Sequence, residues 1–178
     1  MWHKIRHKAC NFRSAAFAAA VVLAATAYMA SCSNIDCPLN NKVEAVYGFY
    51  ESSTGAGITI KDTISVIAGG TDSVIYNRGV NISKLSLPMS YARSVDTLVV
   101  KIMGENAASC DTILVSHTNE PHFESVDCSA VMFHIIKGVE LVSSGRVAGL
   151  SRVDSVVVAN PKVNYNAYEN FKIYFSVP

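Results

Sequence analysis

Phe171-Lys172-Ile173-Tyr174-Phe175-Ser176-Val177, near the end of this 178-residue chain, is the stretch that decides its fold. Phe, Ile, Phe and Val stand at every second position, and Lys172, Tyr174 and Ser176 lie between them. Because successive side chains of a β-strand point to opposite faces, this period of two predicts a strand with one face in the core. No long segment after residue 31 has the period of an amphipathic helix, so the pattern predicts an all-β domain.

Similar patterns recur along the chain and are separated by turn residues such as Gly69-Gly70 and Asn160-Pro161. Alternating stripes occupy 43–49, 58–66 and 85–89, where Pro88 marks an edge strand or a strand end. More continuously apolar runs, which are typical of strands buried on both faces, occupy 97–103, 112–117, 130–136 and 153–158. About eight to ten short strands predict a single-domain antiparallel β-sandwich, Ig-like or related.

The beginning of the chain has the pattern of a bacterial lipoprotein signal peptide. A basic segment precedes the uncharged run AAFAAAVVLAATAYMA at 15–30, and Met29-Ala30-Ser31-Cys32 follows. The run is short and rich in alanine, so transient insertion followed by cleavage suits it better than a permanent membrane span. We therefore expect a cleaved signal helix at residues 1–31 and lipid on Cys32. The alternatives are an ordinary signal peptide cleaved near Ser31 and a retained membrane helix.

Cleavage after Ser31 would leave a tether at residues 32–36 and a β-sandwich domain at 37–178. Five extended residue steps join Cys32 to Cys37, and they span at most about 18 Å. The domain is therefore expected close to the bilayer, with partners in or beside the membrane.

Composition excludes nucleic acid as an expected partner. Four of the 15 Lys and Arg residues lie in 1–31, which leaves 11 against 14 Asp and Glu, a net charge of −3. No basic cluster is present. The expected partners are the membrane, through the lipid, and an envelope protein; a small-molecule ligand stays unknown, and no cofactor beyond the covalent lipid is expected.

Three cysteines, Cys37, Cys110 and Cys128, remain after the proposed cleavage and lipidation. An extracytoplasmic location permits a disulfide. Three single pairings are open, each leaving one free thiol, and three buried free thiols are a further alternative.

Five aspartates precede β-branched or apolar runs. A carboxylate at the start of a strand accepts hydrogen bonds from backbone amides two residues on, which predicts a structural role. The alternative is a calcium site, which needs six to eight convergent oxygens. The five are Asp62, Asp72, Asp96, Asp111 and Asp154.

The densest group of chemically versatile residues lies between His117 and Asp127. His117, His122, Glu124 and Asp127 are the candidate metal ligands, since imidazole and carboxylate together bind zinc. If His117 ends one strand and His122 begins the next, the two rings approach across a turn. The spacing matches no established zinc motif. His134, among apolar neighbours, is expected to be a core histidine with one satisfied hydrogen bond.

No catalytic residue is predicted, because the chain contains no G-x-S-x-G and no S-x-x-K. Gly55-Ala56-Gly57 lacks the third glycine of a dinucleotide-binding loop and is expected to form a hairpin turn. The chain after residue 31 has no tryptophan to form a glycan platform.

Several motifs after residue 35 resemble one family, the small lipoproteins of Bacteroidota classed as domain of unknown function 6452. The resemblance covers essentially the whole chain after the signal, in order and spacing. It implies a lipoprotein without a known activity, a disulfide between Cys37 and Cys128, and Cys110 as the extra thiol. Surface export in this phylum generally needs several acids soon after the lipid cysteine, and Asp36 is the single acid among residues 33–36. The expected location is therefore the outer membrane, facing the periplasm. The motifs are Asp36-Cys37-Pro38-Leu39-Asn40-Asn41, Thr71-Asp72-Ser73-Val74, Asn77-Arg78-Gly79-Val80-Asn81, Leu87-Pro88-Met89-Ser90-Tyr91, Glu120-Pro121-His122-Phe123-Glu124-Ser125-Val126-Asp127-Cys128, Phe133-His134 and Val153-Asp154-Ser155-Val156-Val157.

The expected function is that of a lipid-anchored, non-catalytic binding or scaffold module of the cell envelope. One alternative is a metal- or calcium-binding module that uses the His117–Asp127 segment. The other is a hydrolase whose site is too dispersed to recognise in sequence.

Overall fold

The computed structural model describes Cys37 and residues 42–178, and this part of the chain contains ten strands and no helix long and apolar enough to cross a membrane. The predicted signal peptide at 1–31 and the tether at 32–36 with Cys32 lie outside the described residues. The strands are β1 (Glu44–Glu51), β2 (Thr63–Ala68), β3 (Ser73–Gly79), β4 (Lys84–Pro88), β5 (Val95–Met103), β6 (Ala108–His122), β7 (Val131–Val142), β8 (Arg152–Val158), β9 (Lys162–Val163) and β10 (Glu169–Ser176).

Two sheets face each other across one hydrophobic core, which confirms the all-β sandwich. The smaller sheet has the order β4-β1-β10-β8, and the larger has the order β3-β2-β5-β6-β7-β9. Neighbouring strands are antiparallel with one exception, because β1 and β10 run parallel along Val46–Glu51 and Glu169–Phe175. The first and last strands therefore lie side by side in the middle of the smaller sheet.

The stretch that predicted the fold lies at the centre of the core. Phe171, Ile173 and Phe175 of β10 are buried, and the polar positions between them are only partly covered. Phe171 stacks on Tyr47 of β1 with ring centroids 4.5 Å apart. Phe175 packs on Phe49 with centroids 4.9 Å apart. These aromatic pairs join the two central strands on their inner face, where large rings contribute most of the buried apolar area.

The apolar runs predicted to be buried on both faces are buried on one face only. In β5, Leu98, Val100 and Ile102 are buried, whereas Val99 and Lys101 are half-buried. The reason is that a two-layer sandwich covers only the inner face of each sheet. The outward β-branched side chains are sheltered by neighbours on the adjacent strands of the same sheet.

Two of the five aspartates, Asp62 and Asp111, hold the chain together through hydrogen bonds, but their partners are distant in sequence. The carboxylate of Asp62 accepts a hydrogen bond from the Ser151 amide at 3.0 Å, and that of Asp111 accepts one from the Ser144 amide at 2.9 Å. The prediction that each carboxylate accepts a hydrogen bond from the amide two residues later was therefore wrong for Asp62 and Asp111. Their carboxylates join strands to loops that lie elsewhere in the chain.

Candidate functional site

A disulfide joins Cys37, which precedes β1, to Cys128 in the loop between β6 and β7. The two Cα atoms are 5.7 Å apart and the cysteines are separated by 91 positions in sequence. This is the pairing implied by the family resemblance. Cys110, on β6, is a free and exposed thiol in the described part of the chain. The start of the domain is thus bonded to its middle.

The structure separates the two histidines that were predicted to approach across a turn. His117 and His122 both lie on β6, a single strand of 15 residues. Five residue steps along a strand separate their Cα atoms by about 16 Å. His117 is buried and His122 is partly exposed. The expected turn between them is absent because β6 continues in register with β7 as far as His122 and Val131.

The four candidate metal ligands do not converge on one point. His122 Nε2 lies 3.0 Å from Glu124 Oε1 at the surface, and the His122 ring stacks on Phe133 with centroids 4.3 Å apart. Asp127 is exposed, and its backbone amide donates to Ser125 Oγ. Within residues 42–178 and Cys37, no three His, Cys, Asp or Glu side chains form a group that could hold a metal ion. The described residues therefore do not bring His117, His122, Glu124 and Asp127 together as a metal site.

His117 instead contacts His134 of β7 inside the domain. The two rings are nearly perpendicular, with centroids 5.2 Å apart. Nδ1 of His134 lies 2.8 Å from Asn119 Oδ1. The Asn119 amide donates to the carbonyl oxygens of Tyr91 and Arg93, which fixes Oδ1 as an acceptor and Nδ1 of His134 as the donor. This confirms the expected core histidine with one hydrogen bond.

Asp96, at the start of β5, supplies the negative charge of this buried group. Its Oδ2 lies 3.2 Å from His117 Nε2, without the alignment of a hydrogen bond, and accepts the Ser90 amide at 3.0 Å. Burial and the neighbouring His117 lower the pKa of His134 to about 4, while Asp96 partly opposes the change. Burial and the Asp96 charge raise the pKa of Tyr47. Both groups are therefore neutral at physiological pH.

The chemistry available to the histidine pair is limited by its burial. Three ring nitrogens have no hydrogen-bond partner among the described residues. They are Nδ1 and Nε2 of His117 and Nε2 of His134. No hydroxyl or thiol in that part of the chain donates to them, so the hydrogen-bonded nucleophile and base of covalent catalysis are not assembled. The pair positions loop 89–94 against β6 and β7, because Asn119 holds that loop through two carbonyl groups.

A cavity of about 300 Å³ lies on the outer side of Asp96. Met89, Ser90, Arg93 and Thr97 are among its lining residues. Arg93 donates through Nη1 to the carbonyl oxygen of Gly69, another lining residue, at 3.2 Å. The sequence did not predict this cavity, because its walls come from strands β2 to β5 and the loops between them, and no local motif links these segments.

Comparison with known proteins gives a family but no activity. The sequence model described as "Family of unknown function (DUF6452)" matches residues 63–175. No curated protein and no solved structure matches the chain.

Proposed function

This chain belongs to the family of unknown function DUF6452, which supplies no activity. From the order of its segments and the geometry of the domain, we propose that it is a lipid-anchored protein of the cell envelope. In this proposal it is a non-catalytic binding or scaffold module that works close to the membrane. Cys32 carries the lipid, and the domain lies at the outer membrane facing the periplasm.

The Cys37–Cys128 disulfide is the observation that carries the proposal. Disulfides persist in oxidising compartments such as the periplasm and are rare in the cytosol. The bond also anchors the start of the domain only five residue steps after Cys32. A lipid on Cys32 would therefore hold Cys37 within about 18 Å of the membrane surface. A partner in or beside the membrane is then the partner that the domain can reach.

The buried histidines support a role without catalysis. The rings of His117 and His134 are almost completely covered, so a substrate cannot reach them without opening the β6–β7 sheet. The carboxylate of Asp96 borders the cavity, but it is engaged by the Ser90 amide and faces His117. In this proposal the buried histidines and Asp96 hold loop 89–94 in place and have no catalytic role.

Metabolic labelling with a palmitate analogue tests the anchor. We expect the wild type to be labelled and to fractionate with membranes, and Cys32→Ala to lose both properties. Cys10→Ala is the matched control, because Cys10 lies within the segment that cleavage removes. Label that persists in Cys32→Ala would overturn the anchor, and so would label that disappears in Cys10→Ala alone.

Crosslinking followed by capture through a C-terminal tag tests the scaffold role. We expect at least one envelope protein to be captured with the wild type and depleted several-fold with Cys32→Ala. If every captured protein is equally abundant with both forms, proximity to the membrane has no role in partner choice and the scaffold proposal is wrong.

A further inference from the structure

Three loops lie at the end of the sandwich that the disulfide joins to Cys37. We call this surface the tether end and define it as loops 89–94, 123–130 and 164–168. Loop 123–130 contains Cys128 of the disulfide. Loop 89–94 is held to β6 by Asn119, and loop 164–168 is held by Tyr165, whose ring packs on Phe133 with centroids 5.0 Å apart.

The tether end gathers the exposed aromatic side chains of the described residues. Tyr91, Phe123 and Tyr168 are 62%, 65% and 63% exposed, one in each loop, and Val126 is 99% exposed. At the opposite end of the sandwich, the exposed large apolar side chains are valines such as Val142, the last residue of β7. An aqueous surface gives no stabilisation to three exposed rings, so their grouping beside the disulfide indicates a contact surface.

We propose that the tether end is a membrane-contact surface whose Phe123 and Val126 enter the interfacial region of the bilayer, flanked by Tyr91 and Tyr168. This inference rests on the proposed lipid anchor, which supplies the nearby bilayer. Four residues, Ser33 to Asp36, separate Cys32 from Cys37. That length is too short for the opposite end of the domain to face the membrane. Because β7 alone spans about 36 Å, only the tether end is within reach.

The side chains suit the interface between lipid and water. Tyrosine combines an apolar ring with a polar hydroxyl and is enriched at the level of the headgroups. Phe123 and Val126 lie in loop 123–130, the longest of the three loops, and both side chains are exposed. Insertion of Phe123 and Val126 would remove apolar side-chain area from water. It would not take the backbone hydrogen-bonding groups of the strands out of water.

The charge of the three loops favours apolar insertion over attraction to anionic lipid. The three loops contain two acids, Glu124 and Asp127, and one cation, Arg93, so they form no basic cluster. A polybasic surface would bind anionic vesicles and release them in salt. The tether end is expected to contact zwitterionic lipid, and high salt is expected to leave that contact unchanged.

Tryptophan quenching by brominated lipid tests the contact. The full chain carries Trp2→Phe, so that one introduced tryptophan is the only fluorophore of its kind. The probes are Phe123→Trp and Tyr168→Trp on two different loops, and the matched control is Val142→Trp at the opposite end. Each protein is purified in detergent and reconstituted into phosphatidylcholine vesicles with brominated acyl chains. We expect Phe123→Trp to lose most of its emission, Tyr168→Trp to lose part of it, and Val142→Trp to be unaffected.

The intact mass of each protein is measured in parallel to show whether Cys32 is acylated. Acylated protein in which Phe123→Trp and Tyr168→Trp are no more quenched than Val142→Trp overturns the tether-end inference and leaves the anchor standing. That result would assign the exposed rings to a protein partner instead. Protein without acyl chains on Cys32 overturns both the proposed function and the inference built on it. Quenching that disappears in high salt would also contradict the apolar contact.

Discussion

His134 makes the stability of the domain dependent on pH, because its surroundings favour the neutral ring. Burial and His117 lower its pKa to about 4 in the folded protein, against 6.5 for an unperturbed histidine. Between these two pH values the unfolded chain binds a proton that the folded protein does not. Acidification through this window therefore favours unfolding, while above pH 6.5 this group has no effect.

We expect the free energy of unfolding to fall by on the order of 2 to 3 kcal/mol between pH 6.5 and 4 through this one residue. Urea denaturation at several pH values measures it. His134→Asn keeps a donor near the position of Nδ1 and should flatten the pH dependence. Equal slopes in the wild type and His134→Asn would contradict the assignment.

Asp111 is a fully buried carboxylate that joins three segments. It accepts hydrogen bonds from Ser143 Oγ at 3.0 Å, the Ser144 amide at 2.9 Å and the Val153 amide at 3.4 Å. Asp111→Ala would leave the buried Val153 amide without an acceptor and would remove the bonds to Ser143 and Ser144, and we expect a loss of about 1–3 kcal/mol in the free energy of unfolding.

The matched control for Asp111→Ala is Asp127→Ala. The side chain of Asp127 is exposed and accepts no recorded hydrogen bond, so the change should stay within about 0.5 kcal/mol. Urea denaturation of the two variants side by side would contradict the role of Asp111 if their midpoints were equal.

At the scale of single residues, sequence predicted side chains whose environment is local. His134 stands among Met132, Phe133 and Ile135, and this was enough to predict a core histidine. Asp96 could not be assigned to His117, because the two are 21 positions apart and meet only through pairing of β5 with β6. The expected approach of His117 to His122 depended on where β6 ends, and that end likewise follows from pairing with another strand.

Gly48 of β1 has a requirement that comes from the neighbouring strand β10. A Cβ at this position would overlap the carboxylate of Glu169, whose oxygens accept the Tyr50 hydroxyl at 2.9 and 3.0 Å. Gly48→Ala should displace Glu169 and break this contact between β1 and β10. We expect a loss of about 1–2 kcal/mol in the free energy of unfolding.

Thermal unfolding of three further variants isolates that cause. Gly57→Ala, where the nearest atom is the Phe49 carbonyl oxygen at 4.0 Å, should be neutral or slightly stabilising. In a Glu169→Ala background, Gly48→Ala should cost little, because the overlapping carboxylate is gone. An unchanged cost in that background would show that the backbone, and not Glu169, limits the residue at position 48.

At the scale of elements, alternation predicted β1, β4 and β10, whose inner faces are strictly apolar. The last third of β6 gave no strand signal, since Thr118, Asn119 and Glu120 are polar, and its length follows from pairing with β7. The parallel pairing of β1 with β10 could not be predicted from the sequence either. Alternation determines which face is buried but does not determine the neighbour of a strand.

The disulfide acts at the scale of the whole molecule, because it restricts the unfolded chain over a long loop. Its cysteines are 91 positions apart, and closing a loop of that length is worth about 4–5 kcal/mol in the chain-entropy description. We expect Cys128→Ser to lower the free energy of unfolding by about this amount. Cys110→Ser, which removes only the exposed free thiol, should have little effect.

Urea denaturation in the presence and absence of a reductant checks this prediction. Reductant should destabilise the wild type and Cys110→Ser and should leave Cys128→Ser unchanged. A wild type that is insensitive to reductant, with free thiols shown by alkylation and mass spectrometry, would mean that Cys37 and Cys128 are not bonded in solution.

The parallel pairing of β1 with β10 determines when the domain can finish folding. Synthesis begins at the N-terminus, so β1 is available first and β10 last, and the smaller sheet cannot close until residues 169–176 are free. Pairing across so much sequence slows folding, and a chain that threads through a translocation pore must not fold early. Under the proposed export, the strand order delays closure of the sandwich until the last strand has crossed.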